Sequence, residues 1–522
     1  MVIGAGHNGL TCAAYLAAAR LKVCVLERRA VVGGAAVTEE FHPGFRNSTA
    51  SYTVSLLNPK VVRDLRLAEH GLRVVERPFA NFLPLEDGGY IKVGGGLEAT
   101  QREVARFSKR DAERLPKYYE RLEVVADVLR DLLLETPPNV GGGIHDLLRA
   151  WKAGRRLQSL PIAAQRDVLD LFTLSAAEWL ERWFESEPIK ACFGFDSVVG
   201  NFQSPHAPGS AYVLLHHVFG EVNGKKGSWG HAIGGMGAIT QAMRKEAEAR
   251  GVEIRTGQGV ARVVSRDGRA RGVVLDNGET VEARCVVSNA HPRALLRLVE
   301  DAGAWREPFE HYRSESATLR MNVALSQLPD FTALPGAQQQ PHHGAGIILA
   351  PSLAYMDRAY TSAAASGWSA EPIVEVLIPS TLDDSLAPRG QHVASLFCQH
   401  FRYQLPEGRS WDAERERAAD AVIALVTKFA PNFARSVLGR RVLTPLDLER
   451  EFGLVGGDIF HGKLTLNQLF SARPVLGHGD YRMPLKGLFL CGSGAHPGGG
   501  VTGAPGHNAA REILRDFKKL KP

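Results

Sequence analysis

Apolar runs that lead into glycine-rich loops and then into helix-like periodicity stand at both ends of this 522-residue chain. Near the start, Val2 and Ile3 precede a glycine loop, and residues 10–19 follow with a mainly apolar pattern. Near the end, residues 487–491 are apolar, residues 492–503 are rich in glycine, and a second helical pattern follows. Strand, loop and helix in this order are typical of α/β proteins.

Between these ends the pattern changes. Residues 96–190 repeat apolar positions every three or four residues, which predicts helices, and Pro137-Pro138 interrupt them. Residues 251–288 return to short strands and a hairpin, and residues 300–455 mix strands with helices. We therefore predict a Rossmann-like α/β sheet assembled from separated segments, with a helical region and an α+β region inserted between them.

Composition excludes several classes of function. The net charge of +6, from 62 basic and 56 acidic residues, is too small to indicate a nucleic-acid partner. The six cysteines are scattered and form no CxxC motif, which indicates a reducing compartment and excludes the redox pair of a disulfide reductase. The sequence has no spaced Cys/His set for a metal. It also has no apolar run of about 18 residues for a transmembrane helix.

The first loop matches the G-x-G-x-x-G motif of dinucleotide binding with Gly4, Gly6 and Gly9. The first glycine permits the tight turn, the second lets the backbone approach a pyrophosphate, and the third lets the helix pack on the sheet. The N-terminus of the following helix supplies free N–H groups to an anion. Alone the motif is weak, because a structural glycine turn has the same appearance.

The next strand strengthens the interpretation. Residues 22–26 end at Glu27, 18 residues after Gly9, where an acid accepts both ribose hydroxyls of an adenosine and repels a 2′-phosphate. This disfavours NADP despite Arg28 and Arg29. Gly33-Gly34 then predict a second close approach of backbone to the cofactor. A phosphate-binding loop at one end of the chain and a glycine-rich helix start at the other suit a long cofactor, so we predict FAD.

These motifs resemble the phytoene desaturase group of FAD-dependent oxidoreductases, whose wider relatives are retinol saturases, carotenoid isomerases and amine oxidases. The resemblance covers essentially the whole chain. The residues that carry it are Gly4-Ala5-Gly6-His7-Asn8-Gly9-Leu10, Glu27-Arg28-Arg29, Val32-Gly33-Gly34-Ala35-Ala36 and Gly492-Ser493-Gly494-Ala495-His496-Pro497-Gly498-Gly499-Gly500-Val501.

The resemblance implies where the flavin binds. Its adenosine would lie on Glu27, its pyrophosphate on the first loop, and its isoalloxazine near Gly33-Gly34 and the 492–503 loop. The helix after Gly503 would direct its positive end at the flavin. The predicted cofactor-binding residues are Gly4, Gly6, Asn8, Gly9, Glu27, Arg28, Gly33, Gly34, Val260, Gly492, Gly494, Gly500 and Val501.

The same resemblance implies how the chain is divided into domains. The FAD-binding segments are predicted at 1–60, 226–300 and 456–522, a mainly helical substrate region at 61–225, and an α+β substrate region at 301–455. Carotenoid desaturases usually carry an arginine where this chain has Ala35. The resemblance therefore implies the flavin rather than a carotene substrate.

The leading functional hypothesis is hydride transfer to FAD from an apolar substrate, isoprenoid-like or lipid-like. The alternatives are a flavin amine oxidase, a redox-neutral isomerase, and a flavin-containing regulatory or interaction protein with little turnover. The electron acceptor could be oxygen, a quinone or NAD. The catalytic residues are unassigned; His496, His461 and Arg320 are candidates, and each is equally consistent with a structural role.

One basic amphipathic stretch, residues 147–157 with Trp151, could rest on a membrane surface, or it could be a solvated helix face. The sequence leaves the oligomeric state open. It predicts the cytoplasm for a bacterial protein, and the mitochondrial matrix for a eukaryotic member whose targeting peptide is absent from this chain.

Overall fold

The computed structural model describes residues 1–300 and 302–520. The predicted domain boundary at residue 301 therefore lies outside the described residues. The strands, numbered in chain order, are β1 Val2–Ile3, β2 Cys24–Leu26, β3 Thr38–His42, β4 Phe45–Ser48, β5 Val74–Glu76, β6 Asn81–Pro84, β7 Tyr90–Val93, β8 Glu221–Val222, β9 Lys225–Lys226, β10 Gly230–Ala232, β11 Glu253–Arg255, β12 Val260–Arg266, β13 Arg269–Leu275, β14 Thr280–Glu282, β15 Val286–Ser288, β16 Thr318–Leu325, β17 Gly346–Leu349, β18 Trp368–Leu377, β19 His392–Phe401, β20 Val437–Leu443 and β21 Leu488–Leu490.

The helices are α1 His7–Ala18, α2 Pro59–Asp64, α3 Leu97–Ala105, α4 Lys109–Leu133, α5 Ile144–Gln158, α6 Ile162–Thr173, α7 Ala176–Glu181, α8 Glu187–Gly194, α9 Ser210–Val218, α10 Gly237–Ala249, α11 Pro292–Leu298, α12 Arg306–Glu310, α13 Leu353–Ser366, α14 Trp411–Phe429, α15 Phe433–Ser436, α16 Pro445–Phe452 and α17 Ala504–Phe517. Among the residues that the structure describes, no helix combines the length and the apolarity needed to cross a bilayer.

A five-stranded sheet joins the two ends of the chain. Its order is β11-β2-β1-β15-β21, and every neighbouring pair is parallel. Val2, Val25, Val286 and Leu490 are completely buried, as expected for parallel strands covered on both faces. Helix α1 packs against both α10 and α17. The α/β class and the assembly of one sheet from distant segments are thus as the sequence predicted.

A second sheet of seven strands, in the order β20-β16-β19-β18-β17-β6-β7, lies in the inserted part of the chain. Two of its strands, β6 and β7, come from the 61–225 region, which the sequence predicted to be mainly helical. The pair is too short to show a period of its own, and β6 joins the sheet by pairing with β17, more than 250 residues later. Long-range pairing, rather than local pattern, decides this edge of the sheet.

The predicted helices of residues 96–190 are present as α3 to α8. Helix α4 begins at the Ser108 N-cap, whose hydroxyl accepts the Asp111 N–H at 3.1 Å, and it ends before the proline pair. The buried Asp111 carboxylate accepts the Glu185 and Ser186 backbone N–H groups at 2.9 Å each. These bonds fix the start of α8 against α4. Residues of α4 share a hydrophobic core with Leu83 of β6 and Phe397 of β19, so this part of the helical region packs on the second sheet.

Candidate active site

A cleft of about 380 Å³ runs along the ends of β1, β2 and β15. Its walls come from the first, middle and last segments of the parallel sheet and from the second sheet. Ligands of open α/β sheets bind at this carboxyl end of the strands. Of the predicted cofactor residues, Gly4, Gly6, Glu27, Arg28, Gly33, Gly34, Val260, Gly500 and Val501 line this cleft.

The first loop is held tight by its glycines. Gly4 has φ +90°, and a Cβ on Gly9 would lie 2.1 Å from the Gly4 carbonyl oxygen. A Cβ on Gly6 would meet the Asn289 amide nitrogen at 2.7 Å. Gly9 and Asn8 do not line the cleft: Gly9 packs on Gly4, and Asn8 Nδ2 donates to Ser493 Oγ at 3.1 Å. These two residues therefore support the conformation of the first loop without lining the cleft.

Glu27 occupies the end of β2 with its side chain in the cleft wall. Its Oε2 accepts the Ala5 N–H at 2.8 Å and its Oε1 accepts the Arg29 N–H at 2.9 Å. A carboxylate offers about four lone-pair positions, so acceptors remain for two ribose hydroxyls. The two backbone bonds fix the carboxylate before any ligand arrives.

Gly33 and Gly34 bring a second loop onto the first. Gly33 has φ +129° and Gly34 has φ +57°. The Gly33 N–H donates to the Ala5 carbonyl at 2.8 Å, and a Cβ on Gly34 would lie 3.4 Å from the Gly6 Cα. Any larger residue would fill the space beside the first loop.

The C-terminal loop divides into two parts. Gly492 and Gly494 lie outside the cleft lining and serve packing, because their Cβ atoms would meet the Asn289 carbonyl oxygen at 2.5 Å and Pro292 Cδ at 2.4 Å. Gly500 and Val501 do line the cleft, and Gly500 has φ +94°. Helix α17 starts three residues after Val501, as predicted, but its first residues are not part of the cleft wall.

Three buried nitrogen atoms at the cleft have no protein partner among the described residues: His7 Nε2, Arg29 Nη1 and His461 Nδ1. Burial lowers the pKa of His7 to about 4. An elongated ligand with a pyrophosphate and hydroxyl groups would satisfy such polar atoms, which otherwise cost free energy when buried. The glycine loops, the fixed Glu27 carboxylate and these unpartnered atoms together fit FAD.

A sequence profile of the family described as flavin-containing amine oxidoreductase matches residues 9–311, more than half of the chain. The chain belongs to this family. A rat protein called pyridine nucleotide-disulfide oxidoreductase domain-containing protein 2 is 44% identical, and the match covers 100% of this chain and 94% of the rat protein. The protein is thus an FAD-dependent oxidoreductase.

More distant relatives are a limonene dehydrogenase component of Castellaniella defragrans and a lycopene-forming phytoene desaturase of Pantoea ananas. The first is 26% identical, covering 99% of this chain and 94% of the relative; the second is 25% identical, covering 97% and 96%. A solved oxidoreductase structure from Methanosarcina mazei superposes with a TM-score of 0.61 at 17% identity, over 98% of this chain and 99% of that one. This last likeness shows the fold alone.

Large apolar side chains also line the cleft of this family member. Phe397 and Phe460, together with Tyr52, Leu454 and Ile459, form what we call the apolar part of the cleft. The Tyr52 hydroxyl donates to the buried Glu375 Oε2 at 2.5 Å. Burial, followed by the Glu375 charge, holds the pKa of Tyr52 well above its usual value. Tyr52 therefore faces the cleft as a neutral phenol.

The three candidate catalytic residues have different positions. His461 lines the cleft, and burial with the nearby Arg473 and His7 lowers its pKa to about 3, so its imidazole is neutral. Arg320 lies behind the wall, with its Cζ 4.5 Å from the Tyr52 ring centroid and Nη atoms that donate to Leu396 O and Ser395 Oγ at 2.8 Å.

His496 lies outside the cleft lining. Its Nε2 is 3.0 Å from the Leu132 carbonyl oxygen, and its own carbonyl accepts the Tyr481 hydroxyl at 2.9 Å. Burial lowers the pKa of His496 to about 4. These contacts give His496 a position that orders the 492–503 loop against α4, rather than a position beside a reacting atom.

The sequence reasoning missed Asn289 and His291, which line the cleft after β15. The Asn289 side chain packs against Gly4, Gly6 and Gly9, and the His291 ring lies 5.5 Å from that of His461. The signal that could have found them is their place at the carboxyl end of a strand in the parallel sheet. That strand was predicted, but its neighbours in the sheet are known only from the fold.

Proposed function

We propose that this flavoenzyme dehydrogenates an apolar, isoprenoid-like or lipid-like substrate, with hydride transfer to N5 of FAD. One observation carries the proposal: the apolar part of the cleft is lined by Phe397, Leu454, Ile459, Phe460 and the Tyr52 ring. A hydrocarbon gains about 25 cal/mol for each Å² of apolar surface that it buries against such a wall. Two relatives named for limonene and phytoene support the same substrate class.

Positioning, rather than a conspicuous base, suits the proposed reaction. A carbon–hydrogen bond held against N5 can transfer hydride when orientation is favourable. His461, with its pKa lowered to about 3, is a poor proton acceptor at neutral pH. The chain's own contribution is therefore to orient an apolar substrate and to exclude water from the apolar part of the cleft.

The second candidate is a flavin amine oxidase. The family description and the buried Glu375 carboxylate behind Tyr52 favour it. Against it stands the Tyr52–Phe397 pair, whose ring centroids are only 4.8 Å apart. Rings at this separation contact each other, so they leave no gap in which an amine could bind between them.

The decisive experiment is anaerobic reduction of the bound flavin. The purified protein should show visible flavin absorption that dithionite bleaches, and apolar isoprenoids should bleach it while primary amines do not. Bleaching by amines alone would establish the second candidate. If neither class bleaches the flavin and chromatography shows no isomerised product, the protein has a regulatory or interaction role. Oxygen, a quinone and NAD can then be compared as oxidants of the reduced flavin.

A cleft variant makes this experiment specific. Ile459→Asn places an amide in the apolar wall and should slow bleaching by the isoprenoid at least about tenfold, since a buried polar group without a partner costs about 1–3 kcal/mol. Leu438→Asn, at an exposed position of β20 outside the cleft, should leave the rate unchanged. Equal rates in both variants would contradict the assignment of the apolar part of the cleft to the substrate.

We place the protein in the cytoplasm if its source is bacterial, and in the mitochondrial matrix if it is eukaryotic. The reducing compartment that six unpaired cysteines indicate supports both placements. The mild net charge of +6 supports a small-molecule substrate and gives no indication of nucleic acid. Oxygen, a quinone or NAD serves as electron acceptor.

A further inference from the structure

Helix α5 presents its apolar side chains to the outside of the molecule. Ile144 is 71% exposed, Leu147 68%, Leu148 56% and Trp151 60%. Helices on the surface of a globular protein normally turn the apolar stripe inward and the polar stripe outward. In α5 these four residues recur at spacings of three and four and form one outward stripe. The helix is therefore inverted relative to an ordinary surface helix.

The side of α5 that faces the protein is polar. Asp146 Oδ1 accepts the Asn139 N–H at 3.0 Å, and Arg149 lies 3.4 Å from the buried Glu512 of α17. Lys152 pairs with Glu135, just beyond α4, at 3.0 Å. These ion pairs and hydrogen bonds hold α5 in its orientation, so the outward position of the apolar stripe is built into the contacts beneath it.

Exposed apolar side chains are concentrated in and around α5. Twelve large apolar side chains are exposed among the described residues, and seven of them lie between 140 and 169. We name the four on α5 the outer apolar patch: Ile144, Leu147, Leu148 and Trp151. Such a concentration on one surface is typical of an interaction site.

The charged residues of α5 indicate what binds to the outer apolar patch. Helix α5 carries four basic residues against one acidic residue. Arg149, Lys152 and Arg156 pair with carboxylates outside α5, whereas Arg155 is exposed. The Arg155 guanidinium carbon lies 4.8 Å from the Trp151 ring centroid, which places a cation beside the apolar stripe. A second copy docked through the same patch about a two-fold axis would bring both basic sets together. An anionic surface with an apolar interior matches both features.

We propose that the outer apolar patch docks on a lipid bilayer that carries anionic headgroups. The apolar side chains enter the headgroup–acyl boundary, and the exposed Arg155 contacts lipid phosphates. The docking is peripheral and does not depend on the identity of the substrate. It therefore goes beyond the proposed function, and its test is independent of any turnover.

Vesicle co-sedimentation tests the proposal with the full flavin-loaded chain. Wild-type protein should sediment with vesicles of phosphatidylcholine mixed with phosphatidylglycerol, and much less with vesicles of phosphatidylcholine alone. The double variant Leu148→Ser/Trp151→Ser should lower partitioning at least about tenfold, because each side chain loses apolar burial in the bilayer. The matched control Leu438→Ser/Leu476→Ser changes two exposed leucines outside the patch and should bind as wild type does.

A charge variant separates lipid from protein partners. Arg155→Gln should lower binding to the anionic vesicles by about fivefold, and added salt should have a similar effect. Flavin absorption and the melting temperature should be unchanged in every variant, since all these positions are exposed.

Two results would overturn the proposal. One is equal sedimentation of wild type and the Leu148→Ser/Trp151→Ser variant. The other is a dimer of the wild-type protein in analytical ultracentrifugation that the same variant converts to a monomer, which would assign the patch to a second copy of this chain.

Discussion

Glu27 shows how a single residue combines structure and binding. Its carboxylate accepts two backbone N–H groups, from Ala5 and Arg29, and so joins the first loop to the end of β2. The same side chain lines the cleft that fits FAD. A carboxylate oriented before binding loses less freedom when the ligand arrives.

Glu27→Gln should weaken FAD binding by about tenfold to a hundredfold, because hydrogen bonds to a charged group contribute about 1.5–3 kcal/mol. The measurement is a titration of the flavin-free protein with FAD, in which binding is detected by the quenching of flavin fluorescence. Glu253→Gln removes an exposed carboxylate from the neighbouring strand β11 and is the control. Equal affinity of Glu27→Gln and wild type would remove Glu27 from the site.

Asp458 is a buried carboxyl group whose ionisation makes the stability of the protein depend on pH. Burial raises its pKa to about 6, although its carboxylate accepts N–H groups from Phe460 at 2.8 Å and Gly462 at 2.9 Å. A pKa raised in the folded state means that the contribution of Asp458 to stability is complete below about pH 4 and is lost as the pH rises through about 6.

The free energy of unfolding of the wild type, relative to that of Asp458→Asn, should therefore fall by about 2–3 kcal/mol between pH 4 and pH 7.5. Urea titrations at both pH values measure the difference, and effects of other groups common to both proteins cancel. Asp276→Asn, at an exposed turn, controls for loss of a carboxyl group. A difference that does not change with pH would contradict the raised pKa.

At the scale of elements, the contact between α1 and α17 joins the two ends of the chain. A Cβ on Gly506 would lie 2.2 Å from the Asn8 carbonyl oxygen, so the two helices approach at backbone distance. The helix predicted after the 492–503 loop is present as α17, and it packs against the helix of the first loop. This contact positions Gly500 and Val501 beside the cleft.

Gly506→Ala should lower the free energy of unfolding by about 1–3 kcal/mol, because the added methyl group forces the helices apart. Gly154→Ala is the matched control: it also changes a helical glycine, but in α5, where a Cβ meets open space. The control should raise stability by up to about 1 kcal/mol through helix propensity. Urea denaturation of both variants checks the two opposite signs.

At the scale of the whole molecule, the cleft joins parts of the chain that are far apart in sequence. One continuous core contains Val2, Val25, Val252, Val286 and Leu488. The cleft whose lining fits FAD is walled by the same segments, so ligand binding there and folding of the parallel sheet are thermodynamically linked.

FAD should therefore raise the melting temperature of the flavin-free protein, with about 2.7 kcal/mol of stabilisation when the free FAD concentration is 100 times the dissociation constant. AMP, which resembles the adenosine end alone, should stabilise the protein less. Differential scanning fluorimetry measures both effects. A melting temperature that FAD leaves unchanged would contradict the assignment of the cleft to this cofactor.

The sequence by itself determined the α/β class, the two glycine-rich loops, the acid at position 27 and FAD as the cofactor. Each rests on local rules, since a tight turn needs glycine and a ribose needs an acceptor at the end of β2. The basic amphipathic pattern of residues 147–157 could likewise be read from neighbouring residues alone.

Only the tertiary structure decided the rest. It added β6 and β7 to the second sheet, brought Asn289 beside the first loop, placed His496 outside the cleft, and turned the apolar stripe of α5 outward. These features depend on pairings and contacts between residues that are distant along the chain, and a local pattern contains no information about such partners.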